Sequence, residues 1–185
     1  VTDGTYIYAN DDGAKNRIHA YSVSTALFGL TETWSVDLSG GGRVRGLTYD
    51  PDSGYLYMHN GGDGSSTSFY AVDTATQTVY EVGTHTEGGT VYQALRYGDE
   101  LLVFGTSDNM TAYSLTDDTT LGAMTSQTGL GLGDIYGAAI YDDILFIASA
   151  GGKLSGFQIV PEPGSMLLLI LGSVWLLFRP RRHHR

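Results

Sequence analysis

The side chains able to do chemistry are few and widely spaced. The five histidines are His19, His59, His85, His183 and His184, and none stands in an H-E-x-x-H or other paired-ligand spacing. A G-x-S-x-G nucleophile elbow is absent, because Gly152-Lys153-Leu154-Ser155-Gly156 carries its serine one place late. There is no cysteine, which removes thiol nucleophiles, thiolate metal sites and disulfides together. A catalytic centre would have to be assembled from distant segments, so local motifs favour binding over turnover.

The polar residues of the glycine-rich segments are the better candidates. Asp11, Asp12, Asp63, Glu87, Asp108 and Asp134 fall there with Arg43, while His59 and His85 are read as loop residues too. Carboxylates and loop carbonyls are calcium chemistry. No segment has EF-hand or nonapeptide spacing, however, so scattered surface acids are the plainer reading and no metal site is assigned. Calcium remains the one cofactor conceivable. Tyrosine occurs 13 times. Tyr92 and Tyr136, at the ends of glycine-rich segments, are the least constrained and could stack on sugar rings. His19 lies within a strand pattern and reads as structural.

Charge bounds the partners. All 20 acidic residues precede Gly164, and four of the ten basic ones lie in the last seven positions, leaving six basic residues against 20 acids. Phosphate affinity comes from neutralising basic side chains, so nucleic acid is excluded as a partner. An acidic, solvated surface is the expected outcome.

The elements that must position these residues repeat. Ile18-His19-Ala20-Tyr21-Ser22-Val23 returns as Thr67-Ser68-Phe69-Tyr70-Ala71-Val72, as Met110-Thr111-Ala112-Tyr113-Ser114-Leu115, and as Leu154-Ser155-Gly156-Phe157-Gln158-Ile159. The anchors Tyr21, Tyr70, Tyr113 and Phe157 are 49, 43 and 44 residues apart. Before each stands a second apolar stretch, such as Tyr55-Leu56-Tyr57-Met58 or Leu101-Leu102-Val103-Phe104. Gly46-Leu47-Thr48-Tyr49, Ala94-Leu95-Arg96-Tyr97 and Ala138-Ala139-Ile140-Tyr141 supply a third element, and Trp34-Ser35-Val36, Val79-Tyr80-Glu81-Val82 and Leu121-Gly122-Ala123-Met124 a fourth. Short strands broken by Gly, Asp, Asn and Ser predict antiparallel hairpins, and no helical period exists outside the tail. Four strands in about 44 residues is the arithmetic of a β-propeller blade. Residues 1–159 are therefore expected to be all-β, about three and a half blades, with a β-sandwich as the alternative. The segment from Gly46 to Tyr57 resembles repeats of exported bacterial propellers.

In such a meander the second-to-third loops and the blade-to-blade loops share one face. Here those loops are long (10–16, 59–66, 105–109, 149–152, 39–43, 83–90 and 125–134), whereas 50–54 and 98–100 opposite are tight turns. Long loops on a rigid scaffold carry binding residues. The expected ligand face therefore holds Asp11, Asp12, Arg43, Asp63, His85 and Asp134.

The last 26 residues differ from everything before them. Val160-Pro161-Glu162-Pro163-Gly164-Ser165 is held extended by its prolines. It leads into an uncharged apolar run that includes Met166, Leu167, Leu168, Leu169, Ile170, Leu171, Trp175, Leu176, Leu177 and Phe178. Arg179, Arg181, Arg182 and Arg185 close the chain. Lysine and arginine beside a membrane segment stay cytoplasmic, which leaves the preceding domain outside. Thirteen apolar residues rise about 20 Å against a hydrocarbon core of about 30 Å, so the run is short for a permanent anchor.

This tripartite tail closely resembles the PEP-CTERM sorting signal of exported Gram-negative bacterial proteins, with Pro161-Glu162-Pro163 as its motif and the membrane helix spanning 164–178. The resemblance covers residues 160–185 only. It implies recognition and processing by exosortase, an integral membrane enzyme, through an inner-membrane intermediate. It also implies residence at the cell surface or in the extracellular matrix, among bacteria that make extracellular polysaccharide. A plain tail anchor is the alternative. Val1-Thr2-Asp3-Gly4 is neither a start methionine nor a signal peptide, so the chain is expected to lack its beginning, with further blades upstream or else a small four-bladed ring. Two functions follow: a surface-associated binding or structural propeller, or a secreted propeller hydrolase or lyase acting on extracellular polysaccharide.

Overall fold

A computed structural model describes residues 1–11, 16–24, 29–38, 44–61, 66–86, 90–106 and 108–159. The sorting motif, the apolar run and the arginine end lie outside the described residues, as do Asp12, Arg43, Asp63 and Glu87. Among the described residues no helix is long and apolar enough to cross a membrane.

The described chain is all-β and forms four antiparallel sheets, each a meander of consecutive strands. The first holds β1 (Tyr6–Asn10), β2 (Arg17–Ser24) and β3 (Gly29–Asp37). The second holds β4 (Val44–Asp50), β5 (Tyr55–Gly61), β6 (Thr67–Asp73) and β7 (Val79–His85). The third holds β8 (Val91–Tyr97), β9 (Glu100–Gly105), β10 (Asn109–Asp117) and β11 (Thr120–Gly129). The fourth holds β12 (Ile135–Tyr141), β13 (Ile144–Ser149) and β14 (Lys153–Gln158). The first strands β4, β8 and β12 lie side by side at the inner edge of their sheets. This is a propeller-like array, and its strand count reproduces the repeat read from the sequence.

Packing explains why the central strands are apolar without alternation. In the two inner sheets β5 and β9 are covered on both faces, because side chains of successive residues point to opposite neighbours. On β9, Leu101 and Val103 join the core against the second sheet, while Leu102 and Phe104 join the core against the fourth. On β5, Leu56 and Met58 face the first sheet and Tyr57 faces the third. The aromatic anchors Tyr70, Tyr113 and Phe157 each pack toward the preceding sheet. Tyr21, in the first sheet, is half-buried and stacks on His19.

The anchors also mark a repeated register shift. Ala20 faces Trp34 but Tyr21 faces Glu32, Phe69 faces Gly83 but Tyr70 faces Glu81, and Ala112 faces Ser126 but Tyr113 faces Met124. One extra residue on each of β3, β7 and β11, the last strands of their sheets, bends and twists the strand opposite the anchor. His59 and His85 are corrections to the sequence reading. They belong to β5 and β7, paired with Phe69 and Thr67, and both are buried. The polar and glycine-rich neighbours gave them a loop-like composition, but strand pairing continues through them.

Candidate functional site

Of the expected ligand face, Asp11, His85 and Asp134 are among the described residues. Asp11 follows β1 at the long-loop end, its amide donating to the Arg17 carbonyl at 2.9 Å. Asp134 precedes β12, its carbonyl accepting from the Ala150 amide at 2.8 Å. The Asp108 carboxylate is occupied by the amides of Gly131, Leu132 and Gly133 at 2.9, 2.6 and 3.0 Å, so it holds a loop in shape. His85 Nδ1 lies 2.6 Å from the Tyr113 hydroxyl, inside the interface between the second and third sheets. Among the described residues no three histidine or carboxylate side chains gather as a metal site would need.

Tyr92 and Tyr136 do come together. Their rings meet edge to face with centroids 5.1 Å apart, across the adjacent inner strands β8 and β12. Each is put there by a bulge. Val91 faces Gly105 and Gln93 faces Phe104, which makes Tyr92 the extra residue. Ile135 faces Ser149 and Gly137 faces Ala148, which makes Tyr136 the extra residue. Bulges re-aim side chains and recur beside functional sites. Tyr136 is 54% exposed, so one ring of the pair faces solvent.

The third inner strand carries the same device. In β4, Arg45 faces His59 and Thr48 faces Tyr57, so Gly46 and Leu47 bulge opposite Met58. Val44, Val91 and Ile135 are the buried first residues of the three inner strands, and Arg45, Tyr92 and Tyr136 directly follow them. Asn10 Nδ2 fixes this end by donating to the Val44 carbonyl at 2.8 Å. Gln93 Nε2 bridges the strands by donating to Thr48 Oγ1 at 2.6 Å, while Thr48 Oγ1 donates to the Ala94 carbonyl at 3.0 Å.

Beneath this row lies His59, fully buried, with neither ring nitrogen in hydrogen-bond geometry to any described residue. Burial pushes its pKa down to about 4, the nearby Tyr92 backbone opposes this slightly, and the Arg45 charge adds to it. The imidazole is therefore neutral at physiological pH. Arg45 was not among the residues singled out from sequence. The available signal was its place directly after a buried aliphatic strand start, shared with Tyr92 and Tyr136.

No family model matches the chain, and no curated protein matches it. Solved structures resemble it in fold. A protein from Lactobacillus plantarum matches over 92% of this chain and 52% of its own, with TM-score 0.66 and 17% identity. A putative 6-phosphogluconolactonase from Bacteroides uniformis matches over 91% and 54%, with TM-score 0.60 and 11% identity. The WD40 β-propeller domain of Doa1 matches over 84% and 48%, with TM-score 0.51 and 11% identity. The chain spans about half the length of these structures. At such identities the likeness defines a propeller-like fold and nothing finer.

Proposed function

We propose that this is an exported, surface- or matrix-associated propeller-like binding protein that holds extracellular polysaccharide at the long-loop end of its inner strands. Its C-terminal tail, through Pro161, Glu162 and Pro163, sorts it by way of an exosortase-type membrane enzyme. The observation that carries the binding reading is the Tyr92–Tyr136 pair, raised on two bulges and left open at Tyr136. Aromatic faces present a large contact area at little conformational cost, which suits the C–H-bearing faces of pyranose chairs. The resemblance of the tail supplies the location and the kind of polymer found there.

The test is binding of the full chain, in mild detergent, to purified bacterial exopolysaccharide. Tyr136→Ala should weaken binding at least tenfold with an unchanged melting temperature. Equal binding by the variant overturns the site. Shortening of the polymer during the experiment moves the reading to the secreted hydrolase or lyase.

A further inference from the structure

The inner-strand row is not purely aromatic. Arg45 is the second residue of β4, as Tyr92 and Tyr136 are of β8 and β12, but it keeps its register opposite His59 where they are bulged. The three strands are neighbours, and His59 lies opposite Arg45 in the β4–β5 ladder.

The surroundings of Arg45 differ from those of Arg17 and Arg96, the other described arginines. The chain has twice as many acidic as basic residues. Arg17 is paired with Asp37 at 2.5 Å, and Arg96 is paired with Asp50 and Asp118 at 3.1 and 2.6 Å. Arg45 is half-buried yet makes no ion pair or hydrogen bond to any other described residue. A guanidinium partly withdrawn from water gains most from a planar anionic partner that matches its fork of donors. Its neighbour His59 contributes no second positive charge.

We infer that the row Arg45–Tyr92–Tyr136 is built for an acidic polysaccharide, with sugar rings against the tyrosines and a uronate carboxylate on the Arg45 guanidinium. This rests on the polysaccharide reading above and narrows it to one chemical class. The overall negative charge of the chain repels polyanions in general, so a preference for an acidic oligomer has to come from a local contact such as that of Arg45.

Four-residue oligogalacturonate and oligoglucuronate, each beside its carboxyl-reduced form, are the probes, and the full chain in mild detergent is the protein. One acidic oligomer should bind at least tenfold tighter than its reduced form, and the preference should shrink as salt rises. Arg45→Gln should abolish that preference while retaining residual binding, and Arg45→Lys should restore part of it. Melting temperatures of both variants should equal that of the parent chain. Equal affinity for acidic and reduced oligomers, or a preference that survives Arg45→Gln, overturns the inference. If Tyr136→Ala still weakens binding of both forms, the polysaccharide reading stands without it. Absence of binding to every oligomer overturns the inference, and absence of binding to exopolysaccharide as well overturns both.

Discussion

The imidazole Nδ1 of His85 lies 2.6 Å from the hydroxyl of Tyr113, and the two rings stand perpendicular at 88° with centroids 5.8 Å apart. The pair joins the last strand of one sheet to the third strand of the next. Phe69 lies between His85 and His59, so a row of rings crosses the second sheet from its inner to its outer part and ends in its neighbour. Tyr113→Phe keeps the ring packing and removes the hydroxyl that the imidazole meets. The expected cost is about 1–2 kcal/mol, read as a lower urea midpoint at unchanged slope.

Gly46 sits at φ +62° inside the β4 bulge, where an added Cβ would fall 2.9 Å from the His59 ring and 3.0 Å from the Gln93 Cα. Backbone conformation and space both demand glycine here. Gly46→Ala should destabilise by about 2–3 kcal/mol. The control is Gly98→Ala, at φ +56° with nothing within 4 Å, which carries only the backbone strain and should cost about 1 kcal/mol. Equal losses at the two sites would show that the inner strands are looser than this packing requires.

Much of this arrangement was legible in the sequence. The anchors Tyr70, Tyr113 and Phe157 recur because each fills the same gap against the preceding sheet, and a repeated packing demand leaves a repeated residue. The apolar runs of β5 and β9 recur because both faces of a central strand are covered. His59 and His85 were misread because pairing across a sheet, not local composition, keeps glycine- and threonine-rich ends extended. Arg45 was missed for a related reason. The bulges that raise Tyr92 and Tyr136, and the ladder that seats Arg45 opposite His59, are relations of register between strands, and no single segment records them.

Burial of His59 makes stability depend on pH. Its pKa is near 4 in the folded chain against an ordinary value of about 6.5, so the unfolded chain takes up a proton that the folded one resists. The stabilisation is complete above pH 6.5 and is lost as pH falls toward 4, by on the order of 3 kcal/mol in all. Carboxylates also titrate in this range, so the measurement is a difference. His59→Gln should flatten the stability profile between pH 6.5 and 4 relative to the parent. Parallel profiles would mean that the imidazole is protonated in the fold.

At the tight-turn end, Arg96 closes the interface between the second and third sheets. Its Nη1 lies 3.1 Å from Asp50 Oδ2, 2.6 Å from Asp118 Oδ1 and 3.3 Å from the Tyr57 hydroxyl, which itself donates to the Asp118 carbonyl at 2.9 Å. Only 14% of the Arg96 side chain and 13% of that of Asp50 are exposed, so salt should screen the pair weakly. Arg96→Met should cost about 2 kcal/mol by stranding Asp50, and adding Asp50→Asn should recover part of it. A variant whose stability rises to that of the parent in high salt would place this pair at the surface.

Processing of the tail is the sharpest expectation. Under the sorting proposal, Pro161, Glu162 and Pro163 are read from the outer side of the inner membrane while the four arginines hold the end in the cytoplasm. A thirteen-residue apolar run must thin the bilayer or draw flanking side chains inward to span it, a cost that a transient intermediate tolerates better than a permanent anchor. Replacing Pro161 and Pro163 with alanine should leave uncleaved precursor in the inner membrane, with the arginine end shielded from an external protease. The parent protein, recovered from the surface fraction and analysed by mass spectrometry, should yield peptides from the propeller-like domain and none from residues 166–185. Recovery of those tail peptides at the surface would reduce the segment to an ordinary anchor and remove the processing enzyme from the account.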